Sequence, residues 1–340
     1  MSVPDSARQL DASPVDAPAP ALERVRRLVI EQPLIMLAVI LVLLVIACVI
    51  AKSSYLSTGQ LGAILRYAAP LAIMAGGQTL AMLTRGIDLS MSATATAAAY
   101  VMASNTSHGT LYAIVLGLCV GLAVGLVNGV GIGIFRVQPL IMTLGMAGIV
   151  TGILTAKTAT GGGGTNIPSI VNTIGAGSVF GKGALNFIPN SLILWIVVSV
   201  VLILMLSRTG FGRMLYAYGN NPQAMRLAGM RAWQLLTGTY VIIGLLSAVA
   251  GMTLAGLINS AELGLADSYL LPSIAAAVIG GTSIFGGIGT YGGAIMGAVI
   301  LTVLDSFLTL LNVSQALQQI LYGLVILVLV TIYAQVQKRT

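Results

Sequence analysis

Residues 83–97 read LTRGIDLSMSATATA, and this stretch places Arg85 and Asp88 between long apolar runs. A charge near the centre of a bilayer costs about 2.5–3.5 kcal/mol on insertion scales, so both charges need a partner or water. One interpretation is an internal ion pair, with Asp88 capping the next helix after a break in the chain. The other is that the turn lines a polar path through the protein, where Arg85 and Asp88 offer hydrogen bonds alongside Ser90 and Thr94, which share a helix face.

The whole chain has the composition of a membrane protein, because 57% of its 340 residues are hydrophobic and only 7% are charged. Its apolar segments predict an all-α integral membrane protein with about ten transmembrane helices. The predicted spans are 29–51, 61–83, 88–106, 111–134, 139–157, 190–207, 231–257, 268–285, 290–310 and 316–335.

Positive charges are distributed unevenly between the two sets of loops. With the N-terminus inside, the outer loops hold only Lys52, Lys157 and Lys182. The inner segments hold Arg8, Arg24, Arg26, Arg27, Arg136, Arg208, Arg213, Arg226, Arg231, Lys338 and Arg339. This bias predicts that both termini lie in the cytoplasm. The net charge of +7 therefore reports membrane topology and not nucleic-acid binding.

The chain ends and one long loop differ from the apolar spans. Residues 1–28 are rich in Pro, Ala and Asp before a basic stretch, which predicts a disordered basic cytoplasmic tail. Residues 29–335 form a single transmembrane domain, and residues 336–340 are a second short tail. The outer loop 158–189 contains four consecutive glycines and has room for a short re-entrant segment.

The inner loop 208–230 is predicted to contain a short capped helix. Asn221 followed by Pro222 is typical of a helix N-terminus, and Gly229 is typical of the residue just after a helix. Such a helix is too short to span a membrane, so it either docks in a groove of a partner protein or lies on lipid headgroups. For docking we expect Met225 to be exposed. The residues of the docking segment are Asn220, Asn221, Pro222, Met225, Arg226, Leu227 and Gly229.

Glycines mark two places where close packing or a broken helix is expected. Five of them recur every fourth residue from Gly117 to Gly133, a spacing that favours close approach of another helix. Asn128, beside this ridge, is either an interhelical hydrogen-bond partner or a path-lining group. Three glycine pairs within 280–293 predict a broken segment at the inner surface, because glycine weakens a helix.

Four segments together resemble one family of transport proteins. RGIDLSMS (85–92), QPLIMTLGMAGIVTGI (138–153), GNNPQAMRLAGM (219–230) and VIGGTSIFGGIGT (278–290) are similar, in the same order, to motifs of the monosaccharide-type ABC importer permeases. That family includes the ribose, xylose and galactose permeases. The first segment departs from its pattern, because Arg85 stands where glycine is usual.

The resemblance implies an inverted-repeat permease core of the type II importer kind, which carries a monosaccharide or similar polyhydroxylated solute. It implies three protein partners in a bacterial cytoplasmic membrane: a second and identical permease chain, a cytoplasmic ATP-binding protein on the short helix, and a periplasmic or lipid-anchored solute-binding protein. The chain itself is expected to be no enzyme and to hold no cofactor or metal. ATP and Mg are expected on the partner subunits, since GAGSVFGKG (175–183) lacks residues that a Walker A loop requires.

The remaining polar candidates and two alternative functions stay open. Asn259, Glu262 and Asp267 follow the seventh span on the outer side, where they contact the binding protein or are merely solvated. Asp305 in the ninth span is a path residue or the partner of a basic residue. An ion-coupled secondary transporter would use Asp88 or Asp305 to bind its ion. A related ABC permease would carry nucleosides or branched-chain amino acids.

Overall fold

The helical architecture is seen in a computed structural model that describes residues 33–159, 166–180 and 187–337. Two short 3-10 turns, Ser53–Leu56 and Thr106–His108, connect some of its helices. The α-helices of the described residues are α1 (Pro33–Ala51), α2 (Thr58–Leu83), α3 (Met91–Ser104), α4 (Thr110–Gly133), α5 (Pro139–Ala159), α6 (Ser169–Ala176), α7 (Asn190–Arg208), α8 (Gly210–Asn220), α9 (Pro222–Leu227), α10 (Ala232–Ile258), α11 (Asp267–Ile279), α12 (Tyr291–Leu310) and α13 (Gln315–Gln337).

Each predicted span coincides with a helix, which confirms an all-α integral membrane protein. The matching helices are α1 to α5, α7 and α10 to α13. By length and composition, six helices of the described chain could cross a membrane: α1, α4, α5, α7, α10 and α12. Two spans are shorter than predicted, since α3 has 14 residues and α11 has 13. A full crossing needs about 20 residues, so both are part-length helices that rely on their neighbours.

The two part-length helices take the same place in two halves of the bundle. In each half a long helix is followed by a short one and then by two longer ones, as α2 to α5 and as α10 to α13. α10 packs against α3 and α4, while α2 packs against α11 and α12, and α2 and α10 contact each other. This matching order is what an inverted repeat requires, because the halves enter the bundle from opposite ends.

The glycine ridge of α4 packs against α10, as its spacing predicted. A Cβ atom at Gly121 would overlap the Gly244 carbonyl, and one at Gly129 would lie 2.6 Å from the Thr237 Cα atom. The Thr237 hydroxyl also donates a hydrogen bond to the Gly129 carbonyl at 3.1 Å. The backbones therefore touch directly, which gives close packing where lipid offers no hydrophobic driving force between helices.

Two ends of the bundle are distinguished by the turns that they carry. The "arginine end" comprises the α2–α3 turn (84–90), the α4–α5 turn (134–138), the segment 209–231 and the α11–α12 loop (280–290). The opposite "loop end" comprises the turn 105–109, α6, the α10–α11 turn (259–266) and the turn 311–314. Contacts such as the hydrogen bond from the Gly287 N–H to the Leu83 carbonyl, at 3.2 Å, join segments within one end.

Several boundaries differ from the prediction. The eighth span ends at Ile279 and not at 285, because four glycines with positive φ follow it in the α11–α12 loop. This loop confirms the expected broken segment. The inner loop is mostly helical, since it contains the unpredicted α8, and the outer loop contains α6. α13 runs to Gln337, into the expected C-terminal tail, while residues 1–28 lie outside the described residues.

Candidate functional site

The polar residues just before α3 form a buried cluster at the arginine end. Asp88 is 2% exposed. Its Oδ1 atom accepts hydrogen bonds from the N–H of Ser90 at 2.8 Å and from the Ser90 hydroxyl at 2.6 Å. The Gln78 side chain pairs with the backbone of Asp88, donating to its carbonyl at 2.7 Å and accepting from its N–H at 3.3 Å. These bonds fix the turn, because buried polar groups are stable only when they are paired.

The same cluster ties α3 to α4 and α5. Asn128 of α4 donates from Nδ2 to the Ser90 hydroxyl at 2.9 Å, which confirms the expected interhelical hydrogen bond. The Thr94 hydroxyl donates to the Ser90 carbonyl at 2.8 Å, and the Leu89 N–H donates to the Thr143 hydroxyl of α5 at 3.1 Å. Contact of Ser90, Thr94 or Asn128 with a solute stays a prediction.

Arg85 does not form the expected ion pair with Asp88. Its Nε atom donates to the Gly219 carbonyl at 2.6 Å and its Nη2 atom donates to the Asn220 carbonyl at 2.8 Å. The φ angle of Arg85 is +65°, so the chain is not helical here and residues three apart do not become neighbours. The guanidinium instead meets the carboxyl end of α8, where unpaired carbonyls and the helix dipole favour a cation.

Glycines bring three segments of the arginine end into backbone contact. A Cβ atom at Gly219 would overlap the Leu83 carbonyl and the Gly287 nitrogen, and one at Gly287 would overlap the Asn220 side chain. Gly286 and Gly287 have φ angles of +93° and +74°, which side chains rarely tolerate. We call this meeting of the α2–α3 turn, α8 and the α11–α12 loop the glycine junction.

Tyr216 adds a side-chain bond to the glycine junction. Its hydroxyl donates to the Gly289 carbonyl at 2.9 Å, and burial raises the pKa of Tyr216, so the hydroxyl keeps its proton. Tyr216 was not among the predicted site residues because α8 was not predicted. The available signal was the spacing of Gly212, Leu215 and Gly219, which share the buried face of this helix.

The short helix α9 has the capping residues that the sequence predicted. Asn221 Oδ1 accepts hydrogen bonds from the N–H groups of Gln223 at 3.0 Å and Ala224 at 2.9 Å. Pro222 is the first helical residue, and Gly229 has a φ angle of +75° just beyond the last turn. The N-cap, the proline and the terminal glycine are all confirmed, and they fix α9 as a separate helix.

The exposed face of α9 differs from the prediction. Met225 is 4% exposed and packs into the core cluster that includes Leu215 and Leu235, so its expected exposure is wrong. Leu227 is 90% exposed, and Arg226 is exposed beside it. A helix this short buries one residue per turn against the bundle, and the remaining positions form its outer surface.

A polar cavity of about 500 Å³ lies nearer the loop end. Its wall holds seven apolar residues and ten polar ones from α2, α11, α12 and α13, among them Tyr67, Tyr269, Asp305, Gln318 and Tyr322. The Tyr322 hydroxyl donates to Asp305 Oδ1 at 3.0 Å, so the carboxylate has a phenol as its partner and not a basic residue. Asp305 and Tyr67 also line a neighbouring cavity of about 500 Å³. Carboxylates, amides and phenols together can bind a solute that is rich in hydroxyl groups.

Three polar residues of the α10–α11 turn and the start of α11 lie on the surface of the loop end. Asn259, Glu262 and Asp267 are exposed. Asn259 Oδ1 accepts a hydrogen bond from the Asn172 amide of α6 at 2.8 Å. Contact of these residues with a partner protein stays a prediction. Within the described residues, no three His, Cys, Asp or Glu side chains come together as a metal site would need.

The bundle, its backbone-to-backbone helix contacts and its intramembrane polar cavity define a class, the polytopic α-helical transport permeases. The comparison with known families agrees with this class. Residues 60–330 match the family described as the branched-chain amino acid transport system / permease component, and the chain belongs to that family.

Several import permeases are similar to this chain over most of their length. The chain is 37% identical over 292 residues to the ribose import permease protein RbsC of Bacillus subtilis, covering 85% of this chain and 89% of the relative. It is 31% identical over 329 residues to the fructose import permease protein FrcC of Rhizobium meliloti, covering 93% and 89%. It is 32% identical over 280 residues to the autoinducer 2 import system permease protein LsrC of Yersinia pestis, covering 82% and 78%. No solved structure matches the chain.

Proposed function

We propose that this chain is the permease subunit of an ABC importer and forms the path for a monosaccharide or similar polyhydroxylated solute. The observation that carries the proposal is the polar cavity around Asp305, set in a bundle of otherwise apolar helices. Two of the similar proteins are named for the import of ribose and fructose, which are polyhydroxylated solutes of this kind.

Several side chains in the wall of this cavity can bind hydroxyl groups. A carboxylate offers about four acceptor positions, so Asp305 can accept hydrogen bonds from a solute while it keeps its bond from Tyr322. Gln318 supplies both donor and acceptor groups at the same cavity. A branched-chain amino acid would also present a carboxylate, for which the described residues of the wall include no basic partner.

The orientation that we propose places the arginine end in the cytoplasm. In the described residues the loop end carries Lys52 and Lys157. The arginine end carries Arg85, Arg136, Arg208, Arg213, Arg226 and Arg231. This excess of basic residues supports a cytoplasmic arginine end in a bacterial cytoplasmic membrane, with both termini inside.

Under this orientation α9 is the helix that docks on a separate ATP-binding subunit, which holds ATP and Mg²⁺. The exposed Leu227 and Arg226 supply its contact surface. Arg85 then acts as a positioning residue, because its two hydrogen bonds join the carboxyl end of α8 to the turn that begins α3. A displacement of α9 by the ATP-binding subunit would thus move the core of the permease. This chain needs no cofactor of its own for that role.

Two further partners complete the proposed importer. A second copy of the permease chain would form a homodimer, and a periplasmic or lipid-anchored solute-binding protein would dock on the loop end. Asn259, Glu262 and Asp267 form an exposed polar surface at that end, which suits a transient protein contact.

The proposal is tested by reconstituting the chain with its ATP-binding and solute-binding proteins in vesicles and measuring uptake of radiolabelled ribose and fructose. Uptake should require ATP, and Asp305→Asn should lower it roughly tenfold or more, since a hydrogen bond to a charged group contributes about 1.5–3 kcal/mol. Uptake without ATP under a proton or sodium gradient would contradict the proposal and support a secondary transporter.

The docking role of α9 has its own test in the same vesicles. Leu227→Glu should abolish solute-stimulated ATP hydrolysis, because it places a charge at the centre of the docking surface. Leu227→Ile is the matched control, since it keeps an apolar side chain at the same 90% exposed position. If both variants hydrolyse ATP like the unmodified protein, α9 is not the docking helix.

A further inference from the structure

A cavity of about 740 Å³ at the arginine end is lined by four arginines from three separate segments. Arg85 comes from the α2–α3 turn, Arg136 from the α4–α5 turn, and Arg226 and Arg231 from either side of the α9 C-terminus. This cavity is distinct from the polar cavity around Asp305. None of the proposed transport steps uses its guanidinium groups as a set.

The charge in this cavity is not balanced by its own wall. The described residues that line it include no Asp or Glu. Arg85 donates hydrogen bonds to two carbonyls, which are dipoles and carry no net charge. Because an arginine stays protonated at any physiological pH, four positive charges face one space. Such a space favours an anion, and the planar guanidinium group pairs best with a phosphate or a carboxylate.

The rim of the cavity is apolar and indicates which anion fits. Ile134, Phe135 and Trp233 are exposed apolar side chains at or next to the lining segments, with exposed fractions of 50%, 74% and 45%. Ile134 and Trp233 also belong to the lining itself. Large exposed apolar side chains and a Trp next to basic residues are typical of the boundary between lipid tails and headgroups. A soluble anion would leave these apolar side chains exposed to water, whereas a lipid would cover them with its acyl chains.

We propose that the four-arginine cavity binds the phosphate of an anionic phospholipid from the leaflet at the arginine end. That leaflet is the cytoplasmic one, so the inference rests on the orientation in the proposed function. Basic pockets between transmembrane helices on this side are suited to such headgroups. A bound lipid would connect the α4–α5 turn to the segment after α9 through Arg136 and Arg231, and so hold the end of the docking helix against the bundle.

The experiment measures binding of fluorescent phosphatidylglycerol to the purified full-length chain in phosphatidylcholine nanodiscs, without ATP-binding or solute-binding partners. The double variant Arg136→Gln/Arg231→Gln should bind at least about tenfold more weakly, since each lost phosphate contact is charge-assisted. Arg136→Lys/Arg231→Lys keeps both charges and should retain most of the binding. It also shows whether the positions tolerate substitution.

The matched control is Arg208→Gln/Arg213→Gln, which removes two charges from the same end but from outside the cavity. This control should change the affinity by less than about threefold, as expected for a general surface charge effect. Equal losses in both double variants would overturn the proposal, because the attraction would then be non-specific.

Two other results would also overturn it. Displacement of the lipid by millimolar inorganic phosphate would indicate a site for a soluble anion. Unchanged lipid binding by Arg136→Gln/Arg231→Gln would overturn it as well. If a separate pull-down then showed that this variant captures the ATP-binding subunit more weakly, the arginines would be assigned to acidic side chains of that partner. Because the assay needs neither transport nor ATP hydrolysis, a failed lipid site leaves the importer proposal to be judged by its own experiments.

Discussion

The α2–α3 turn and the α10–α11 turn occupy the same place in the two halves of the bundle, yet they are built in opposite ways. Each follows a long helix, begins with a left-handed residue that is not glycine, and leads into a part-length helix. The φ angle is +65° at Arg85 and +55° at Asn259. The two turns therefore share a non-glycine residue in the left-handed conformation, and they differ in what their side chains contact.

The first turn is locked and the second is open. Asp88 is buried, and Arg85 reaches across to α8, where glycines leave no space for a side chain. The second turn exposes Asn259, Glu262 and Asp267. A locked turn suits the transmission of motion from a docked subunit, and an open turn suits a surface that must bind and release a partner. Paired substitutions in the two turns test whether the first is locked and the second open.

The largest difference is expected for glycine to alanine substitutions. Gly219→Ala should prevent accumulation of folded protein, because backbone atoms lie on both sides of the new methyl group and the cost is about 4 kcal/mol or more. Gly264→Ala in the open turn should cost only about 1 kcal/mol, because alanine must then adopt the positive φ of +77° that Gly264 has. Expression and monodispersity in detergent measure both. Gly238→Ala, where the nearest atom is 3.5 Å away, should resemble the unmodified protein.

A smaller difference is expected for the two aspartates that precede or begin the part-length helices. Asp88→Ala leaves the buried N–H and hydroxyl of Ser90 without their acceptor, which should cost about 3 kcal/mol. Asp267→Ala at the exposed start of α11 should cost about 0.5 kcal/mol through the helix dipole. Thermal unfolding in detergent gives the comparison, and equal midpoints would mean that the first turn is not locked.

The smallest effects are expected at the two left-handed residues. Arg85→Gly relieves about 1 kcal/mol of backbone strain but removes two charge-assisted hydrogen bonds, so a net loss of about 2 kcal/mol is expected. Asn259→Gly should change stability by less than about 0.5 kcal/mol, since Asn tolerates this conformation. Thermal unfolding in detergent measures the change in stability of both variants. A stabilised Arg85→Gly variant would show that Arg85 contributes nothing through α8.

Hydropathy predicted the helical framework well, because long apolar segments in lipid have few alternatives to a helix. Glycine spacing predicted the α4 contact, and capping residues predicted α9. α8 escaped prediction because its three glycines and polar residues suggest a loop, and because it is stabilised by burial against the bundle.

The details of the site depended on geometry that sequence spacing cannot supply. Arg85 and Asp88 are neighbours only on a regular helix, and the left-handed conformation of Arg85 sends its side chain to α8 instead. Which face of α9 is buried depends on how α8 and α10 hold it. The cavity around Asp305 combines residues from five helices, α2 and α10 to α13, and no local pattern links them.

The glycine ridge of α4 also implies a delay in biogenesis, between the synthesis of α4 and that of its partner helix. Its partner surface on α10 lies roughly 120 residues further along the chain, as Gly121 and Gly244 show. At a synthesis rate of about 5–20 residues per second, α4 waits in the membrane for about 6–25 seconds before α10 has been made. During that interval the ridge faces lipid with its backbone uncovered. Membrane helices insert before they associate, so the first half must remain unfinished, and open to premature partners, until the second half arrives.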